Sequence, residues 1–88
     1  MPQYITLHRA PGLQKDEFEA TGAELVDGRY AQHIVTYANL TDGTIVNLFE
    51  AESEAELIRE FERLGLPHEE IHECQLTLTN EDLRAAAG

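Results

Sequence analysis

Polar and apolar positions alternate from Gln3 to Arg9, with Tyr4, Thr6 and His8 on one side of the run and Ile5, Leu7 and Arg9 on the other. A period of two in β-forming residues predicts a strand, and Pro11-Gly12 ends it. From Gln14 to Val26 the spacing changes. Phe18, Leu25 and Val26 fit a helical stripe, and Asp16 and Glu17 stand at the end where the helix dipole favours acids. Gly22 weakens this helix, and Asp27-Gly28 stops it. His33 to Leu40 and Thr44 to Phe49 are two β-rich runs around Thr41-Asp42-Gly43, which is a hairpin signal. Ser53 with Glu56 three residues on forms a capping box for a second helix. Leu57, Ile58, Phe61 and Leu64 give that helix its apolar stripe, Gly65 caps its end, and Pro67 prevents continuation. Ile71 to Thr79 reads as the last strand, and Asn80 to Ala87 as a short capped helix or a frayed end.

Strand, helix, hairpin, helix, strand is the order of an α+β domain. The expected fold is ferredoxin-like βαββαβ over residues 1–79, a four-stranded antiparallel sheet with two helices on one face. Residues 80–88 form a C-terminal tail. In the third strand Val46 and Leu48 point one way and Ile45 and Phe49 the other, with only Asn47 polar among them. A strand apolar on both sides implies that both sheet faces are covered. With the helices on one face, a second copy is the simplest cover for the other, giving a sheet-on-sheet homodimer. One assignment of sides sets Ile5, Leu7, Cys74, Leu76 and Leu78 against the helices. It leaves Tyr4, Thr6, His8, Glu73, Gln75 and Thr77 on the second face, joined by His33, Val35 and Tyr37.

Composition narrows the class. The chain has 88 residues, 42% hydrophobic and 26% charged, enough for one small domain. It holds no apolar run of the roughly 18 residues that would cross a bilayer. Its first residues show no basic stretch leading into an apolar one, so no signal peptide and no membrane partner are expected. A single cysteine, Cys74, rules out an internal disulfide and fits a reducing cytoplasm. Net charge is −11, with seventeen acids against six bases. Nucleic acid is not an expected partner, because phosphates need Lys and Arg to neutralise them. The acidity fits a solvated surface, a salty cytoplasm, or an acidic decoy for a nucleic-acid-binding protein.

Candidate chemistry collects on the second face of that assignment. His8, His33 and Glu73 offer two imidazoles and a carboxylate, which suit a divalent metal or a proton transfer. Tyr4, Tyr37 and Asn47 are candidate contacts for an organic ligand. His68-Glu69-Glu70-Ile71-His72 matches H-E-x-x-H, but that motif binds zinc from one face of a helix. Here Pro67 precedes it and a β-rich run follows. In a strand the two histidines would stand about 13 Å apart. Cys74 alternates with Leu76 and Leu78 and is expected in the core. Glu50 to Glu62 reads as a solvated face, with Arg59 and Arg63 pairing Glu56, Glu60 and Glu62. No glycine-rich phosphate loop and no Ser-His-Asp signature is present.

Several short motifs carry a resemblance. They are Tyr4 to Arg9 with Pro11-Gly12-Leu13, Thr36-Tyr37, Asn47 to Ala51, Ser53-Glu54, Gly65-Leu66-Pro67 and Ile71-His72-Glu73. Together they span nearly the whole chain, which resembles the small nickel-binding, ferredoxin-like proteins of bacteria within the dimeric α+β barrel superfamily. The resemblance implies a homodimer and binding of nickel or another divalent metal. Three positions where that family often carries histidine or cysteine hold Val35, Asn47 and Glu60 here. Two functions are therefore expected. One is a homodimeric binding protein for a divalent metal or a small organic ligand. The other is a cofactor-free barrel enzyme acting on a small cyclic or aromatic metabolite, with a histidine as base.

Overall fold

The computed structural model covers all residues, Met1–Gly88. Strands β1 (Gln3–Arg9), β2 (Ala31–Asn39), β3 (Thr44–Ala51) and β4 (Glu70–Cys74) form one antiparallel sheet in the order β2-β3-β1-β4. Helices α1 (Lys15–Val26) and α2 (Glu54–Leu64) join them, and α3 (Asn80–Ala87) follows. The fold is α+β, of the ferredoxin-like type.

Local chemistry sets each boundary. Asn39 and Asp42 organise the hairpin: Asn39 Oδ1 accepts from the N–H groups of Thr41 and Asp42, and Asp42 Oδ1 accepts from Thr44. Gly43 takes φ +80°, and a Cβ there would lie 2.5 Å from the backbone of Pro11. Only glycine permits both the left-handed turn and that approach. Ser53 caps α2 through the N–H of Glu56, and Gly65 ends it in the left-handed conformation at φ +65°.

The covered face follows from burial along β1 and β3. Tyr4, Thr6 and His8 are buried, as are Ile45, Asn47, Phe49 and Ala51. Phe49 and Phe61 meet edge to face at 5.3 Å, in a core completed by Tyr4, Leu25, Ala31, Ala51 and Leu57. The expected assignment of sides is thus reversed in β1: Ile5 and Leu7 face away from the helices. The reason is that Thr6 and His8 satisfy their polar atoms within the protein, while Tyr4 brings more apolar area to the core than its neighbours. On β2 an irregularity between His33 and Val35 adds one residue against β3. A bulge shifts the alternation by one. His33 and Thr36 therefore share the covered face, while Val35 and Tyr37 stand on the open one.

Three further expectations change. The last strand ends at Cys74, where pairing with β1 stops at Gln3, so Leu76 and Leu78 are exposed and Cys74 is half-buried. Val26 lies in solvent. Glu60 is 1% exposed instead of solvated, accepting from the N–H groups of Arg29 and Tyr30 and pairing with Arg63 at 2.7 Å. Burial alone would raise its pKa, but Arg63 and the two backbone donors hold it below the usual carboxylate value. Helix α3 is capped by Thr79 and Asp82, yet buries no residue. Residues 75–88 stand out from the body, so the radius of gyration is 14.4 Å, against about 12 Å for a compact chain of this length.

Candidate functional site

Between α1 and the covered face of the sheet lies a cavity of about 200 Å³. Phe18, Thr21 and Leu25 of α1 form one wall, His8, Ile45 and Asn47 the floor, and the loop after β1 with Leu66 and Pro67 the ends. It exists because α1 is a poor apolar stripe. Leu25 is its single buried residue, so the helix covers the sheet without filling the space beneath it.

His8 and Asn47 are the buried polar groups of the floor, at 3% exposure each. His8 Nδ1 lies 2.8 Å from the carbonyl of Pro67, which can only accept, so that nitrogen carries the proton. Nε2 must then accept from the Thr6 hydroxyl, at 2.8 Å. The ring also meets Phe61 edge-on at 5.2 Å. Burial lowers the His8 pKa, opposed by the Pro67 carbonyl, and so favours the neutral ring that this pairing requires.

Asn47 is set from the neighbouring strand. Thr36 donates to Asn47 Oδ1 at 2.5 Å, and Thr36 Oγ1 lies 2.7 Å from His33 Nε2. A hydroxyl has one proton, already given to Asn47, so His33 Nε2–H donates to Thr36. This chain depends on the bulge, since residues three apart in a regular strand face opposite sides. Asn47 Nδ2 has no partner within the protein. Every fully enclosed polar side-chain atom has one, so Nδ2 opens onto the cavity that Asn47 lines.

No protein-family model matches this chain, and no curated protein sequence matches it significantly. The crystal structure of SCO4226 from Streptomyces coelicolor A3(2) is similar, with a TM-score of 0.76 at 26% identity over 86% of this chain and 99% of that one. The likeness supports the small ferredoxin-like α+β fold.

The sequence-derived candidates separate. Of the three organic-ligand candidates, only Asn47 reaches the cavity. Tyr4 belongs to the core, its pKa raised by burial and then by Glu73 and Glu54. Tyr37 is 66% exposed and pairs with Val46 on the open face. Among the metal candidates, His8 pairs with Ile45 and His33 with Phe49, four residues apart on β3 and on opposite sides of it. That is about 13 Å along the strand before the sideways separation is added. Glu73 sits level with Tyr4 on the far edge strand. No group of three His, Cys, Asp or Glu residues comes together. These donors do not fit a nickel or other divalent ion within one chain. His68 and His72 flank the start of β4, with no helix beneath them, and His72 pairs with Glu70 at 2.9 Å. Sequence reasoning set Thr6 on the same face as His8 without giving it a role, and missed the roles of Thr36 and the α1 wall. The signal for Thr36 is the bulge, and nothing in the letters of β2 marks it.

Proposed function

We propose that this chain is a small binding protein that holds a small organic molecule in the cavity beneath α1. The observation that carries the reading is Asn47, almost wholly buried, anchored by Thr36, with an amide nitrogen unpartnered and open to an otherwise mainly apolar space. That donor opens onto the cavity, and a ligand oxygen entering there would accept from it. Volume bounds the ligand: a cavity of about 150 Å³ accommodates benzene, so a single ring fits here. The enzyme reading gains less support, because both His8 nitrogens are engaged and neither is free to take a proton from a ligand.

The partner in this reading is a second copy, seated on the open sheet face. There Ile5 pairs with Leu48 and Leu7 with Val46 across β1 and β3, and Val35 and Tyr37 continue the patch on β2. A contiguous apolar face of this kind on an 88-residue domain calls for cover, and a two-fold pairing covers both copies with the same surface.

The cavity is tested by titrating ¹⁵N-labelled protein with single-ring compounds. Backbone resonances of Phe18, Leu25 and Ile45 and the Asn47 side-chain amide are expected to shift. Thr21→Phe, on the solvent-accessible wall of α1, is expected to fill the cavity and abolish the shifts. If no single-ring compound moves these resonances, the reading is wrong.

A further inference from the structure

We infer that the cavity selects small neutral ring compounds carrying a hydrogen-bond acceptor, the simplest class being cyclic ketones. This rests on the cavity being a ligand site and adds the chemistry of what it takes. The polarity of the site follows from where each proton must lie. His33 gives its Nε2 proton to Thr36, Thr36 gives its own to Asn47 Oδ1, and Asn47 is left presenting only N–H donors to the cavity. The other lining side chains leave one acceptor, the Thr21 hydroxyl oxygen. His8 has both nitrogens occupied. Thr21, an exposed residue, gives its proton to the Glu17 carbonyl and keeps only its oxygen as an acceptor. No carboxylate lines the space, and Arg9 at its edge is a donor paired to Glu69 at 3.5 Å. A ligand that donates but cannot accept would leave the Asn47 amide unsatisfied, which is the more costly arrangement. Apolar walls from Leu13, Phe18, Leu25, Ile45 and Leu66 disfavour a charged body.

Thr36 acts as a positioning residue. It touches no ligand but decides which end of the Asn47 amide meets one. Without its hydroxyl the amide is free to turn, and either oxygen or nitrogen can face the cavity.

The experiment compares three probes by NMR titration: cyclohexanone, which accepts; methylenecyclohexane, of the same shape with no oxygen; and pyrrole, whose N–H only donates. With the unaltered chain, cyclohexanone is expected to bind roughly tenfold tighter than methylenecyclohexane, the value of one hydrogen bond. In Asn47→Leu that ratio is expected to fall to near one. Thr36→Val should narrow the ratio while methylenecyclohexane affinity is kept, a change that a merely structural role would not produce. Should Asn47→Leu not fold, Thr36→Val carries the test alone. Equal affinity of the two cyclohexyl probes for the unaltered chain overturns the acceptor preference and leaves the cavity reading standing. Pyrrole binding tighter than both also overturns it, because Oδ1 would then be the atom presented. Failure of all three to bind removes the cavity reading and this inference together.

Discussion

At the scale of single residues, the buried polar groups govern both stability and specificity. His8 and His33 have pKa values lowered by burial, opposed at His8 by the Pro67 carbonyl and at His33 by Asn47. Their unfolded value is about 6.5. As pH falls through that value, the unfolded chain takes up protons that the folded chain resists. Stability is therefore full above pH about 6.5 and declines below it until the folded pKa is reached. Thermal unfolding temperature is expected to fall between pH 7 and pH 5, and His8→Gln is expected to flatten part of that decline. The steepest contribution is about 1.4 kcal/mol per pH unit for each histidine. Glu60 makes a second residue-scale case. Glu60→Gln leaves Arg63 without its buried partner and weakens two backbone contacts to the loop before β2. A loss of about 2 kcal/mol in urea unfolding is expected, at the lower end for a buried pair because Arg63 can turn toward solvent. Neither role was legible beforehand. A glutamate among glutamates on a helix reads as solvated until a loop from elsewhere in the chain brings donors to it.

At the scale of elements, the strongest local signals translated directly into structure. Ser53 and Gly65 bound α2 as their chemistry requires, and the Asp42-Gly43 turn closes the hairpin. Gly43 also supports the roof of the loop after β1, since Ala10 donates its N–H to the Gly43 carbonyl at 2.9 Å. Gly43→Ala would combine a left-handed φ with a clash against Pro11. It is expected to cost of order 2–3 kcal/mol, seen as a lower urea midpoint with an unchanged slope. β4 shows the opposite lesson. Leu76 and Leu78 alternate as a strand should, but pairing with β1 ends at Gln3 and no strand lies beside residues 75–79. Alternation proposes a strand, and a neighbour is needed to make one, because the backbone N–H and C=O groups must be paired across the sheet. Helix α1 is a third case: Phe18, Leu25 and Val26 are its expected stripe, yet Val26 lies in solvent and Leu25 alone is buried, and the cavity beneath the helix is the consequence.

At the scale of the whole molecule, the two sheet faces divide the labour. The covered face holds the core, the cavity and the polar chain from His33 to Asn47, while the open face carries Ile5, Leu7, Val35, Val46 and Leu48. Leu48→Glu places a charge at the centre of the open face without touching the cavity. It is expected to convert a dimer to a monomer in sedimentation velocity while ring compounds still bind, and a wild-type chain that is monomeric at high concentration would refute the second copy. The order of elements, their caps and the two-sided apolar character of β3 were determined by the sequence alone, because they depend on residues close together in the chain. Which side of β1 is buried, that His33 and Thr36 share a face, and that Glu60 is an anchor were decided by tertiary structure. Each turns on a partner distant in sequence: the Pro67 carbonyl for His8, the β3 register for the bulge on β2, and the Arg29-Tyr30 backbone for Glu60. Alternation along a strand is symmetric between its two faces, and only the energy of satisfying buried polar atoms across the fold breaks that symmetry.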